Sequence, residues 1–461
     1  MNATRRRTRT LIALMLPQMM VVLNLSIINV ALPAIRETFS APTDVMSWVI
    51  TLYMLPYVAV MPLYGTLGDD LGIHRMLFVS MGLFLSGTLV NALSLSLPLL
   101  LLGRFIQGLG AGGIPPLAIA MITRIFSVET RGHALGQWNS IGPVAAVTGA
   151  LLGGVIIDAV GWRVTFVVPL LAGVAAVTMA VLTVRSTGHP VRMQELGGFD
   201  WLGVILLSAT LACLLFYVTS RPITGRQPFT DWRLLAAMVL LLAGFVWHER
   251  RMAAPFIELS LLKDGNYLKV CITAAMRMFV MSGISFLTPL YLADLKGLNA
   301  TLIGVIAMIR SAGLFPTMYF GGRVADRWGS RLPMVLGMSV QAASVLLLIL
   351  SGPGPQVTLV VVGLALHGLG AGVVLPALHR AAMTGSDGER GGTAAGLYSM
   401  IRFCGMMLGT AVVGVLLQAL LDRGATDLVS YRLAFASTLV VGVLGVVAAL
   451  AMRKPAGGAC E

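Results

Sequence analysis

Four arginines stand inside stretches of sequence that are otherwise apolar: Arg104, Arg277, Arg310 and Arg402. A guanidinium stays charged at physiological pH and is costly to surround with hydrocarbon, so each is expected to face protein, water or an anion. On a helix, Arg104 shares a face with Gly108 and Gly112, and Arg402 shares one with Gly405 and Gly409. Glycines at such spacing let two helix backbones approach closely. Both arginines are therefore expected to point at a helix contact, where they either bond neighbouring carbonyls and fix the packing or line a polar path. Arg277 and Arg310 are candidates for the same path, with snorkelling or a purely structural role as the alternative. His367 and His379 lie together in another apolar stretch. Imidazole moves protons near neutral pH, although between packed helices it more often serves as a plain polar contact. Asn29, Asn91, Asn139 and Gln341 are further polar groups in such stretches, and nothing in the sequence ranks them. No Asp or Glu falls in the middle of any stretch; Asp158 and Asp294 stand at the ends.

The elements that must position these groups follow from composition. Of 461 residues, 57% are hydrophobic and 11% charged, and the mean hydropathy is +0.88. A soluble domain carries about 25% charged residues, so most of this surface faces lipid. Windows of about 20 apolar residues, the length that crosses a bilayer as a helix, fall near 11–33, 46–66, 76–96, 98–122, 134–157, 164–184, 201–220, 232–248, 267–292, 300–322, 333–351, 357–379, 394–420 and 432–452. That makes an all-α integral membrane protein of fourteen spans. The N-terminal apolar stretch runs on to Ile35 with no small-residue cleavage site, so it is read as the first span and not as a secretory signal. Lys and Arg in alternate loops are more than twice as numerous on the side of the Arg5, Arg6, Arg7 and Arg9 tail, which predicts both termini in the cytoplasm.

Several functions are disfavoured. The net charge of +13 is spread over short loops and forms no basic stripe, so nucleic acid is not an expected partner. Cys213, Cys271, Cys404 and Cys460 have neither disulfide nor metal-ligand spacing. The sequence lacks a nucleotide-binding G-x-x-x-x-G-K-[ST] loop and any cluster of His and carboxylates that would serve an embedded enzyme. The chain is expected to be no enzyme and to need no cofactor.

An internal repeat divides the chain. GLGAG at 108–112 recurs at 368–372, with Gln107 matched by His367 and Pro116 by Pro376. Gly136 and Gly149 fall on Gly396 and Gly409 at the same offset. Gly65, Asp69 and Gly72 in the loop after the second span fall on Gly322, Asp326 and Gly329, three residues short of it. Equal order and nearly equal offset predict two six-helix bundles related by a parallel pseudo-two-fold repeat, with two extra helices inserted. The expected boundaries are 1–184 for the first bundle, 185–266 for the linker with the inserted helices, and 267–461 for the second. Gly65 and Gly72 are expected to allow a tight turn, and Asp69 to receive an arginine or a helix N-terminus there. In the fifth span Gly149 and Gly153 are placed for close packing, and Pro143 is expected to bend the helix.

These motifs resemble the drug:proton antiporters of the major facilitator superfamily, the fourteen-span branch in particular, over essentially the whole chain. The segments concerned are VVLNLSIINVALPAI (21–35), the loop residues Gly65, Leu67, Asp69, Gly72 and Arg75, LLGRFIQGLGAGG (101–113), GALLGGVIIDAVGWRVTF (149–166) and SMIRFCGMMLGTA (399–411). The resemblance implies a secondary transporter in a bacterial inner membrane that expels drugs or metabolites by alternating access, working as a monomer with a small-molecule substrate and protons as its partners. It implies a role for Arg104 near the substrate path or proton relay. The expected substrate and coupling residues are Asn24, Arg104, Gln107, Arg277, Arg310, His367 and Arg402. The expected cytoplasmic gating residues are Gly65, Asp69, Gly72, Arg75, Gly322, Asp326, Gly329 and Arg331.

Departures from the pattern carry information. Asn24 stands where the family has a first-span carboxylate, and an amide carries no proton. Asp70, Ile73 and His74 stand where the loop motif has basic residues, and Ala150 replaces a proline. With arginines and no acid at mid-span, the cavity is expected to be net positive and to favour anionic or neutral substrates over lipophilic cations.

Overall fold

A computed structural model describes residues 3–183, 200–219, 221, 227–252, 257–383 and 390–452. Among them are fourteen helices long and apolar enough to cross a membrane, and no strand. Lipid offers backbone N–H and C=O groups no partner, and a helix meets this by bonding them within its own segment. The helices are α1 (Ala3–Phe39), α2 (Thr43–Leu71), α3 (Ile73–Ala92), α4 (Leu97–Ala111), α5 (Ile114–Ile125), α6 (Val128–Val160) and α7 (Val167–Thr183). Then come α8 (Trp201–Thr219) and α9 (Trp232–Glu249), followed by α10 (Gly265–Asp294), α11 (Ala300–Trp328), α12 (Arg331–Leu350), α13 (Thr358–Met383), α14 (Arg390–Asp422) and α15 (Asp427–Leu450). The fourth span, Leu97–Ile125, is built from α4 and α5. The break follows from Gly112 and Gly113 running into Pro115 and Pro116, which cannot donate to the preceding turn.

The chain divides into two compact units. One comprises 1–41, 48–216 and 231–256, and the other 42–47, 217–230 and 257–461. The inserted helices α8 and α9 cluster for most of their length with the first unit and do not stand apart as a linker. They are joined by Asp200, whose Oδ1 caps α8 at the Gly203 N–H (2.8 Å) and bonds His248 Nε2 at the end of α9 (2.6 Å).

The sequence repeat reappears as a repeat of contacts. In the first unit α1 packs on α6 and α7, and α3 on α4; in the second α10 packs on α14 and α15, and α12 on α13. The three glycines of each GLGAG face two ways. Gly108 and Gly112 lie against the α2 backbone at Tyr53 and Tyr57, while Gly110 lies against α3 at Ser80 and Phe84. In the second unit Gly368 and Gly372 lie against α11 at Arg310 and Leu314, and Gly370 against α12 at Gly337 and Gln341. A Cβ at any of these six positions would run into neighbouring backbone, so each span is a bare ridge between two others. Gly149 meets Leu23 and Gly153 meets Ile27 on α1; Gly405 meets Ala275 and Gly409 meets Phe279 on α10.

Some local expectations need correction. Gly65 and Gly322 lie inside α2 and α11, with only open space or a 3.9 Å neighbour where a Cβ would be, so they make no turn. The turn belongs to Gly72 and Gly329, whose φ angles of 98° and 78° end their helices in a region that favours glycine. The helix of the first span continues past its apolar stretch through Arg36 to Phe39.

Candidate functional site

In the first unit the polar residues converge on Gln107. Its Oε1 accepts from Arg104 Nη1 (2.6 Å) and Asn91 Nδ2 (3.1 Å), while its Nε2 donates to Asn24 Oδ1 (3.0 Å) and Thr88 Oγ1 (2.8 Å). The first, third and fourth spans meet at this one amide, and all five side chains are buried. The second span joins through Arg104, which donates from Nε to the Val49 carbonyl of α2 (2.7 Å) and stacks on Tyr53, with 4.3 Å from Cζ to the ring centroid. That carbonyl and ring shelter the charge from lipid, and the flat guanidinium matches both. Of the expected residues, Asn24, Arg104 and Gln107 are therefore brought together. Asn24 Nδ2, Arg104 Nη2 and the Tyr53 hydroxyl are buried there without a hydrogen-bond partner.

The second unit is built differently around the same scaffold. His367, the repeat partner of Gln107, is fully buried, and Gln341 Nε2 and Ser344 Oγ lie 3.4 and 3.3 Å from its two ring nitrogens. Ser344 donates onward to the Gln341 carbonyl (2.6 Å), so a neutral imidazole completes the chain with its Nδ1–H on Ser344. Arg310 occupies the position matching Tyr53 and donates to the Met281 carbonyl (3.2 Å) and to Ser285. Arg277 is buried and donates from Nη2 to the Ala371 carbonyl (3.0 Å). Arg402 donates from Nη1 to His379 Nε2 (2.9 Å) and lies over Phe403 at 4.6 Å and Tyr398 at 5.5 Å. Arg310 and Arg402 are both within electrostatic reach of Arg277.

The turn motif is best defined on the second repeat. There Arg380 Nη1 donates to Asp326 Oδ1 (2.8 Å) and to the Ala325 carbonyl, tying the end of α13 to the end of α11. On the first repeat Arg75 is exposed at the start of α3, and the Asp69 side chain lies outside the described residues. Arg331 donates to the Leu450 carbonyl (2.6 Å), a cation at the negative end of α15. At the other end of this unit Lys296 donates to the Gly352 and Gln356 carbonyls (2.6 and 2.5 Å), and burial holds its ammonium below the ordinary lysine range.

The sequence profile described as Major Facilitator Superfamily matches residues 14–410 and again 270–459. The chain belongs to the major facilitator superfamily. Among its relatives, "Multidrug resistance protein Stp" of Mycobacterium tuberculosis is 30% identical over 419 residues, covering 91% of this chain and 77% of that protein. "Drug efflux pump JefA" of the same species is 30% identical over 419 residues, covering 90% and 81%. The "Probable actinorhodin transporter" of Streptomyces coelicolor is 30% identical over 437 residues, covering 91% and 74%. Solved transporter structures share the fold. A D-xylose-proton symporter matches with a TM-score of 0.69 at 13% identity over 97% of each chain. An inward-facing bacterial homologue of the human lysosomal transporter Spinster matches at 0.67 and 16%, over 98% of this chain and 99% of that one.

As a multi-pass transporter of this superfamily, and not an enzyme, the chain must offer solute a polar surface inside lipid. Sequence reasoning missed Tyr53, Thr88 and Tyr398, because an aromatic or a threonine in an apolar run reads as ordinary core. Two signals were present. The loop-motif offset pairs Tyr53 with Arg310, and Tyr398 stands four residues before Arg402 on one helix.

Proposed function

We propose that this transporter exports a small molecule across the bacterial plasma membrane by alternating access, in the manner that its relatives' names give for drug efflux. Both termini then lie in the cytoplasm, as the bias of Lys and Arg implies. Buried polar residues tied across spans, with guanidinium atoms left over, carry this reading. Asn24, Arg104, Gln107, Arg277, Arg310, His367 and Arg402 form the substrate and coupling set. The Asp326–Arg380 pair supports a gating role for the turn motif, since an exposed ion pair is worth about 1 kcal/mol or less and breaks readily as a helix end moves. Gly72, Asp69 and Arg75 take the matching role on the first repeat.

Proton coupling is the reading that the resemblance favours. A second reading, export of an anionic or neutral solute without a proton, is favoured by Asn24, whose Oδ1 is held by Gln107 and which has no titratable oxygen. An anion leaving a negative-inside cell also runs down the electrical gradient, by about 2.3 kcal/mol per charge per 100 mV. Efflux from liposomes with and without an imposed pH gradient tests both. Acceleration by the gradient supports coupling, equal rates support uncoupled export, and no flux of any solute overturns the export reading.

A further inference from the structure

Among the described residues, the middle portions of α10, α11 and α14 in the second unit hold three permanent positive charges and no acid. Arg310 and Arg402 both lie within electrostatic reach of Arg277, which is 2% exposed. The acids of the helices around them stand at span ends with partners of their own: Asp294 accepts from Tyr431, Asp326 from Arg380, and Asp422 from Arg221 and Gln418. Carbonyls of Ala371 and Met281 shelter Arg277 and Arg310, but a dipole solvates a charge without cancelling it. Polar atoms are also left over. Arg277 Nε, Arg402 Nε and the Tyr398 hydroxyl are buried and make no aligned hydrogen bond in the protein, and Tyr398 is 2% exposed. With Nη1 committed to His379, the Arg402 edge that carries Nε is the one left for an acceptor. Phe403 backs the guanidinium at 4.6 Å and Tyr398 lies alongside at 5.5 Å, so the group sits on rigid rings. Arg310, Arg402 and His379 are only half-buried. An arginine left open at that depth is too costly against hydrocarbon, so its open side faces water or a ligand.

We propose that this cluster is the seat of an organic anion, a carboxylate on a flat aromatic body. The carboxylate lies on the Nε edge of Arg402 as a two-point acceptor and takes a further hydrogen bond from the Tyr398 hydroxyl. Arg277 and Arg310 supply the field that favours negative charge, and the aromatic body lies beside the Tyr398 and Phe403 rings. A lipophilic cation would meet three like charges there and no neutralising acid. The assignment rests on the export reading above and names its substrate class. Arg104 of the first unit is not such a seat, since its Nη1 and Nε are taken by Gln107 and the Val49 carbonyl, and it is fully buried.

The test is equilibrium binding of radiolabelled 2-naphthoate, with ethidium as the cationic comparator, to the purified full-length transporter. The variants are Arg402→Gln, Arg402→Lys and Tyr398→Phe, each checked for a monodisperse elution profile. Saturable naphthoate binding is expected for the unmodified protein, weakened about tenfold or more in Arg402→Gln and less in Arg402→Lys, which keeps the charge but loses the planar edge. Tyr398→Phe removes one hydroxyl and should weaken binding about three- to tenfold. If Arg402→Gln does not fold, Tyr398→Phe decides. The seat is overturned if the unmodified protein binds no naphthoate saturably, if both folded variants bind it as tightly, or if ethidium binds in its place. Flux in liposomes separates the two ideas. Arg402-dependent naphthoate binding without transport leaves the seat and sinks export, whereas ethidium transport without naphthoate binding leaves export and sinks the seat.

Discussion

Replacing Gln107 with leucine removes the one side chain on which three spans of the first unit converge. The volume is nearly kept, so the effect falls on hydrogen bonds. Arg104 Nη1, Asn91 Nδ2, Asn24 Oδ1 and Thr88 Oγ1 each lose the partner they have at 2.6 to 3.1 Å, and all four residues are buried. Hydrogen bonds between membrane helices average about 0.6 kcal/mol, which puts the lower bound near 2.4 kcal/mol for four. Orphaned buried groups cost about 1 kcal/mol each when neutral and about 2–3 when charged, which puts the upper bound near 6 kcal/mol. For a bundle of this size about 1 kcal/mol shifts the thermal midpoint by roughly 2–4 °C. A fall of roughly 5–25 °C is expected, read as loss of the monodisperse peak after heating in detergent. Gln107→His should recover part of it, because imidazole offers one donor and one acceptor in place of four bonds and the equivalent site in the second unit already holds His367. A midpoint for Gln107→Leu within about 2 °C of the unmodified protein would refute the reasoning. It would mean that Arg104 is held by the Val49 carbonyl and the Tyr53 ring alone.

Other outcomes follow from the same structure. Asn24→Asp places a titratable oxygen where Gln107 Nε2 already donates, and efflux should become dependent on an imposed pH gradient; equal rates with and without the gradient would count against a coupling role for that position. Asp326→Asn breaks the exposed pair with Arg380 and should shift the transport rate up to about fivefold while leaving the thermal midpoint nearly unchanged, since such pairs are worth about 1 kcal/mol or less. Gly110→Ala and Gly370→Ala each drive a Cβ into the neighbouring helix and should destabilise by about 1–3 kcal/mol, whereas Gly65→Ala, with open space around it, should not. Thermal unfolding of the three variants side by side checks that contrast.

The sequence alone determined the class of protein, the number of spans and the duplication. Those depend on hydropathy summed over about 20 residues and on spacing, which are properties of the chain itself. It also marked the glycine ridge, because GLGAG at 108–112 and 368–372 places bare positions on two faces of one helix. It singled out Asn24, Arg104 and Gln107 but not that one amide joins them, since that meeting depends on how the first and fourth spans pack. Tertiary structure alone decided that Arg104 is enclosed while Arg310 and Arg402 keep an open side, although Arg104 and Arg402 both share a helix face with glycines along the chain. A buried charge is defined by its neighbours, and here those neighbours are the carbonyl of Val49, the ring of Tyr53 and the imidazole of His379, each brought in by another helix. Gly65 and Gly322 make the same point in reverse. The sequence suggested a turn at Gly65, but the helices run through both positions and end at Gly72 and Gly329, where the backbone takes a positive φ.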